Sequence, residues 1–212
     1  MWRFALTLFF IACNADPGGV RIDGGTCTGR VFFNEDFESY AAGAPLDSSW
    51  QISLEGPNVS AAVSTPADGL GANGSQRYLL IINNGMPMPT QHELWAATPP
   101  RDLSGCATAR LDVEFIVFSL EVNEMDAAFI EWRANGSDWQ LALQTFPGLF
   151  ASVLTCRPGN QDTTHCVSWM PLSLDIPAAL LVSGFQARFR LRTTTDVNDA
   201  IGVDDVAIVG GR

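Results

Sequence analysis

Apolar and polar positions alternate most cleanly between residues 185 and 192. Phe185, Ala187, Phe189 and Leu191 share one parity, and Gln186, Arg188, Arg190 and Arg192 share the other. A period of two sends successive side chains to opposite faces, so this stretch predicts an antiparallel strand with one face in a core and one turned outward. An Asp/Asn/Gly-rich turn region follows. A closing strand is then predicted from Val203, Val206 and Ile208, interrupted by Asp204 and Asp205. A carboxylate among core residues costs free energy unless it is paired or ligates a cation, which makes this pair the most informative in the chain.

The same reading applied upstream predicts strands over 50–54, 78–82, 92–96, 110–122, 127–133, 139–143, 150–154 and 168–174, after an opening in which Val31 and Phe33 alternate with Phe32. Residues 55–77 read as loop, and 175–181 (DIPAALL) as one short helical turn. Between the strands at 127–133 and 139–143 lies Ala-Asn-Gly-Ser-Asp. Asn-Gly flanked by strands is the strongest short-range hairpin signal. Short strands at close spacing, with Gly/Pro/Asn turns and no long amphipathic helix, predict an all-β sandwich or barrel. No repeat of 20–50 residues is present, which argues against solenoids and propellers.

Composition narrows the class. A hydrophobic content of 47% with 17% charged residues describes a folded chain, not a disordered one. The net charge of −11 argues against nucleic acid and against anionic lipid as partners. All 12 basic residues are arginine, which points to a GC-rich, bacterial genome. Residues 1–12 carry one Arg and a short apolar run, too short to span a bilayer and typical of an export signal. The ending Phe10-Ile11-Ala12-Cys13 is similar to a bacterial lipoprotein signal, with Cys13 the lipidated residue. Ordinary cleavage near Ala15 is the alternative. Residues 13–26 suit a tether, and 27–212 form a single domain.

Four further cysteines, Cys27, Cys106, Cys156 and Cys166, read as two disulfides in an exported chain. Three pairings are open. Cys156 with Cys166 closes a local loop, and Cys27 with Cys106 then joins the N-terminal extension to the domain. A zinc site using His165 and Cys166 is the alternative, though no Cys-x-x-Cys spacing supports it.

Three stretches together, NEDFE (34–38) followed by Trp50, LEVNEMDAAFIEWRANGSDWQ (120–140) and RFRLRTTTDVNDAIGVDDVAI (188–208), carry a family likeness. Over residues 31–209 the chain resembles MAM-type domains and the related calcium-binding, carbohydrate-binding-like modules of secreted bacterial proteins. The resemblance implies a jelly-roll β-sandwich of two antiparallel sheets whose first and last strands lie side by side. It also implies a structural calcium between those strands, held by Glu38 and Asp204 with Asp36 and Asp205 beside them. Calcium takes six to eight hard oxygen ligands, so the residue types suit it. Solvation, or pairing with Arg188, Arg190 or Arg192, is the alternative for these carboxylates.

Enzyme signatures are approached and not met. His92-Glu93-Leu94-Trp95-Ala96 begins like a zinc-protease helix but has Ala96 where the second His must stand. Glu124-Met125-Asp126 begins like the acidic strand of jelly-roll glycoside hydrolases, with Phe129 where the third acid belongs, so the carboxylate pair that hydrolysis needs is missing. Gly-x-Ser-x-Gly is absent. The expectation is therefore a non-catalytic binding module whose partner is a glycan or a cell-surface protein, reaching the membrane only through a lipid at Cys13. Sugar sites use aromatic faces with a few orienting polar groups. Trp50, Trp95, Trp132, Trp139 and Trp169 are the aromatic candidates, Trp132 and Trp139 first among them. Arg188 and Arg190 lead the polar candidates, with pairing to Glu114 or Glu131 the bland alternative. The Asn-x-Ser sequons at Asn58, Asn73 and Asn135 are read as turns.

Overall fold

The structure is a computed structural model that describes residues 27–56, 59–65, 72–83, 92–119, 127–145, 169–193 and 199–211. The export signal and tether, Cys13, Glu124 and Asp126, the strand expected at 150–154, and Cys156, His165 and Cys166 lie outside the described residues.

Eleven strands are described: β1 Val31–Glu35, β2 Gln51–Leu54, β3 Val59–Ser64, β4 Tyr78–Asn83, β5 His92–Ala97, β6 Ala109–Ser119, β7 Ala127–Arg133, β8 Gln140–Thr145, β9 Met170–Asp175, β10 Gln186–Thr193 and β11 Ala200–Gly210. They form two antiparallel sheets. One has the order β3-β4-β11-β6-β9, with β1 also paired to β11; the other runs β2-β5-β10-β7-β8. The expected all-β sandwich is the fold, and its first described strand lies against its last. The turn expected at 175–181 is a short 3-10 turn, Ala178–Leu180, that follows Pro177.

Residues 55–77 are the main correction, because they contain β3. Its sequence, VSAAVS, has small residues at four of six positions, so its apolar alternation is faint. What pairs it is tertiary: β4 on one side, and on the other the backbone of residues 43–45, through Gly43 N–H to Val63 O at 2.8 Å and Val63 N–H to Ala44 O at 2.9 Å.

The core lies between the sheets. Phe185, Ala187, Phe189 and Leu191 of β10 and its approach are all 0% exposed, opposite Leu79, Ile81, Phe115, Ile201 and Val203 of the other sheet. The β7–β8 connection turns through Asn135 (φ 51°) and Gly136 (φ 68°), the left-handed pair that an Asn-Gly hairpin supplies.

The start of the described chain is fastened to its end. Cys27 forms a disulfide with Cys106 across a separation of 79 residues. Gly29 N–H donates to Gly210 O at 3.0 Å, and Gly210 N–H donates to Arg30 O at 2.8 Å. A side chain at Gly210 would meet the Cys27 carbonyl oxygen and lie 2.6 Å from its Sγ. Gly210→Ala is therefore expected to lower unfolding free energy by about 1–3 kcal/mol, the usual effect of overpacking. Urea denaturation with an unchanged m-value would establish it, and an unchanged midpoint would show that the two segments do not pack this closely.

Candidate functional site

Two clusters of polar side chains stand out, one on each sheet. The first covers the outer face of the β2-β5-β10-β7-β8 sheet. Register places Ser53, Trp95, Arg190, Phe129 and Gln144 in one row across five strands, and Gln51, Ala97, Arg188, Glu131 and Leu141 in the next. Both rows follow from alternation: the apolar parity of β10 is needed inside, so its arginines must face out.

Glu131 is the hub of this face at 6% exposure. Its Oε2 accepts from Arg188 Nε at 2.5 Å and Arg190 Nε at 2.9 Å, and its Oε1 accepts from Arg190 Nη2 at 2.9 Å. Burial alone would push its carboxyl up, but the hydrogen bonds from Arg190 and Arg188 outweigh that and hold it below the usual glutamate value. Arg190 Nη1 also reaches Glu93 Oε1 at 2.6 Å.

Aromatic rings fill the spaces between these cations. The Arg190 guanidinium lies 3.8 Å from the Phe129 ring centroid, and that of Arg192 lies 5.1 Å from it. Arg188 sits over Trp139 at 4.4 Å and Trp95 at 5.5 Å, and Arg133 over Trp139 at 4.3 Å. The two indoles are 6.2 Å apart and tilted by 55°. Both are half-buried.

Among the expected ligand residues, Trp139, Arg188 and Arg190 meet on this face. Trp132 does not. Its parity on β7 points it between the sheets, where it is a core residue at 6% exposure and closed to a sugar. Trp50 is also core, packed on Phe33 and Phe37, and Trp169 stacks edge-on with Tyr78 at 5.4 Å. Sequence reasoning misses Arg133. A signal for it exists, since Phe129, Glu131 and Arg133 share one parity on β7.

The second cluster sits where β11 changes partner. One edge of β11 pairs with β4 along residues 200–203 and with β1 along 206–209. On the other edge β6 runs the whole length, with a register shift between Asp204 and Ala207. Asp205 occupies this irregularity at φ 48°. Asp204 is 0% exposed. Its Oδ1 accepts from Asp205 N–H at 2.9 Å, and its Oδ2 is buried without a hydrogen-bond partner. Burial pushes its carboxyl up to about 7, with the charges of Asp205 and Glu38 adding to the effect and the Ser75 hydroxyl and Asp205 N–H opposing it.

The turn at residues 72–75 gathers the other acids. Ser75 Oγ donates to Glu38 Oε1 at 2.7 Å, and the N–H groups of Gln76 and Arg77 donate to the same oxygen at 2.6 and 3.0 Å. These bonds, the Ser75 hydroxyl first, hold the Glu38 carboxyl below its usual value. Asn73 Nδ2 bridges Glu114 Oε1 at 3.2 Å and Asp205 Oδ2 at 3.1 Å. Burial, with the Asp205 charge adding, raises the Glu114 carboxyl against that hydrogen bond. Glu38, Asp204 and Asp205 thus converge, joined by Glu114, which only the β6–β11 register could have revealed. Asp36 is exposed and closes its own turn by accepting from Glu38 N–H at 3.1 Å. As arranged, the described residues contain no group of three or more Asp, Glu, His or Cys side chains close enough to hold a metal ion.

No family model and no curated protein sequence matches the chain. Solved structures do match its fold. The K1 cleaved adhesin domain of Lys-gingipain from Porphyromonas gingivalis W83 is 18% identical with a TM-score of 0.58, over 87% of this chain and 100% of that one. The K3 cleaved adhesin domain of the same protein is 20% identical with a TM-score of 0.58, over 86% of this chain and 100% of that one. An arabinose-bound α-L-arabinofuranosidase is 12% identical with a TM-score of 0.52, over 88% of this chain but only 27% of that one. At these identities the likeness is one of β-sandwich fold.

Proposed function

We propose that this chain is an exported, non-catalytic binding module that recognises glycans through the outer face of the β2-β5-β10-β7-β8 sheet. One observation carries the reading: Trp95 and Trp139, both half-buried, meet Arg188 and Arg133 on a sheet face whose other side is the core. A sugar placed there would meet indole and guanidinium planes together, with Gln51, Ser53 and Gln144 in the same rows for orientation. Catalysis is disfavoured on this face because its carboxylates, Glu131 and Glu93, both accept from arginine. Glu131, held below the usual glutamate value, is not poised as the proton donor that glycoside cleavage requires. Export, with Cys13 carrying a lipid, belongs to the same proposal.

Trp139→Ala is expected to weaken binding on a glycan array at least about tenfold, the loss of one stacking contact, while the thermal midpoint stays within a few degrees. A folded wild-type chain that retains no glycan would sink the reading.

A structural calcium near Asp204 is part of the proposal. The buried Oδ2 of Asp204, without a donor, is the group that fits a cation. Glu38 would be its carboxylate partner, with Asp205 adjacent and backbone and hydroxyl oxygens completing the shell. Asp36 and Glu38 are the exposed members of the expected set. Calcium would supply a fixed positive charge there and tie β1 to β11.

A protein partner is the second reading. Ile52 and Leu54 lie on the edge strand β2 with inward parity, yet they are 37% and 39% exposed. Loss of self- or partner association on Ile52→Ser would favour it.

A further inference from the structure

Building on the glycan reading above, we infer that the ligand of the Trp95–Trp139 face is an acidic glycan, a polymer of carboxylated sugars, whose carboxylate is received by Arg133. Two independent observations lead there.

The first is local charge. Among the described residues on the strands of this face, Arg133, Arg188 and Arg190 stand against Glu93 and Glu131, an excess of positive charge in a chain whose net charge is −11. Such an inversion of sign concentrates anions at one place on an otherwise repelling surface.

The second is the state of Arg133 itself. Its Nε and Nη2 donate to Gln186 Oε1 at 3.1 and 3.0 Å, and Nη2 also donates to Gln51 Oε1 at 3.0 Å. Both partners are neutral amides. Among the described residues no carboxylate pairs with Arg133, and its Nη1 makes no hydrogen bond. The group is nonetheless held still. Gln186 is 4% exposed and anchored by its own Nε2 donating to Thr98 O at 2.9 Å, and the guanidinium lies over Trp139. Arg188 and Arg190, by contrast, already share Glu131. A fixed guanidinium with neutral partners and an unbonded Nη1 is organised in advance to donate to a carboxylate. Nucleic acid is the poorer occupant, because its dense backbone charge would meet the acidic remainder of the chain.

The experiment is isothermal titration of the full chain, at one fixed calcium concentration, with polygalacturonate and alginate, their esterified forms, a neutral galactan, dextran sulfate and duplex DNA. At least one free uronate is expected to bind at least about tenfold more tightly than its ester, the weight of one charge-assisted hydrogen bond. Arg133→Gln should remove that factor without moving the thermal midpoint, and Arg133→Lys should keep part of it. Equal binding of ester and free acid would overturn the inference while leaving glycan recognition in place. Tighter binding of dextran sulfate or DNA than of either uronate would overturn it too, by showing a response to charge density alone. Failure of every sugar would remove both readings together.

Discussion

Glu131→Gln is expected to lower unfolding free energy by about 3–5 kcal/mol, the range for breaking a buried ion pair by removing one partner. The substitution keeps size and an acceptor but removes the charge that Arg188 and Arg190 share, and those side chains are only 12% and 11% exposed. Two guanidiniums that share one carboxylate oxygen would then lose their common counter-charge, and among the described residues only Arg190 would keep a carboxylate, Glu93. Glu93→Gln is the control. Its side chain is 43% exposed, so its removal should cost no more than about 1 kcal/mol. Chemical denaturation of both variants at neutral pH checks the pair, and equal losses would mean that burial does not set the hub apart.

The second large effect is a reversal of the usual pH dependence. In calcium-free solution Asp204 titrates at about 7 in the folded chain against 3.8 unfolded, the folded state holding its proton more tightly. Its stabilising contribution is thus complete below 3.8 and is lost as the pH rises through about 7. A shift of this size corresponds to about 4 kcal/mol between the two limits. Stability in chelator should therefore rise when the pH is lowered from 8 to 5. Glu131 works in the other direction. Its folded carboxyl is held below 4.5, so its contribution is present above that value and fades as the pH falls further. The calcium-free chain should be most stable in a window between the two. Asp204→Asn should raise stability in chelator at pH 7.5 and flatten the alkaline limb, and calcium should stabilise the wild type there but not the variant. A wild-type profile flat from pH 5 to 8 in chelator would refute the burial of the Asp204 carboxylate.

Much of the fold is legible in the amino-acid sequence, and what is not has physical causes. Period-two alternation in β10 assigns its four core residues and its arginine face, because one buried sheet face forces parity. The likeness of NEDFE and DDV to the first and last strands of a jelly roll matches the pairing of β1 with β11. Glu131 is among the carboxylates expected to pair with the arginine row, whereas Glu114, the other, belongs to the opposite sheet. Trp132 and Trp139 are equivalent as tryptophans. Parity along β7 sends Trp132 to the core, whereas Trp139 lies beyond the hairpin turn, just before β8. β3 is hidden because Ala and Ser carry little apolar signal, and its place is set by neighbours distant in sequence. Nothing in the sequence attaches Asn73, Ser75 and Glu114 to the closing aspartates. Their meeting depends on a local break in the β6–β11 register.

The Cys27–Cys106 bond has a mechanical consequence. Tension applied to the chain before Cys27 and after Gly211 would pass through the sulfurs to Cys106, so residues 28–105, with β1 to β5, lie outside the load path. The first ladder to feel the force is β6 against β11, gripped at the end where Ala109 faces Gly210. Two antiparallel strands drawn apart from the same end separate one pair at a time, like a zip. With the disulfide reduced, the load would instead start at β1, whose Val31 faces Val209 at that same end. The oxidation state of one bond thus selects which strand leaves β11 first under strain.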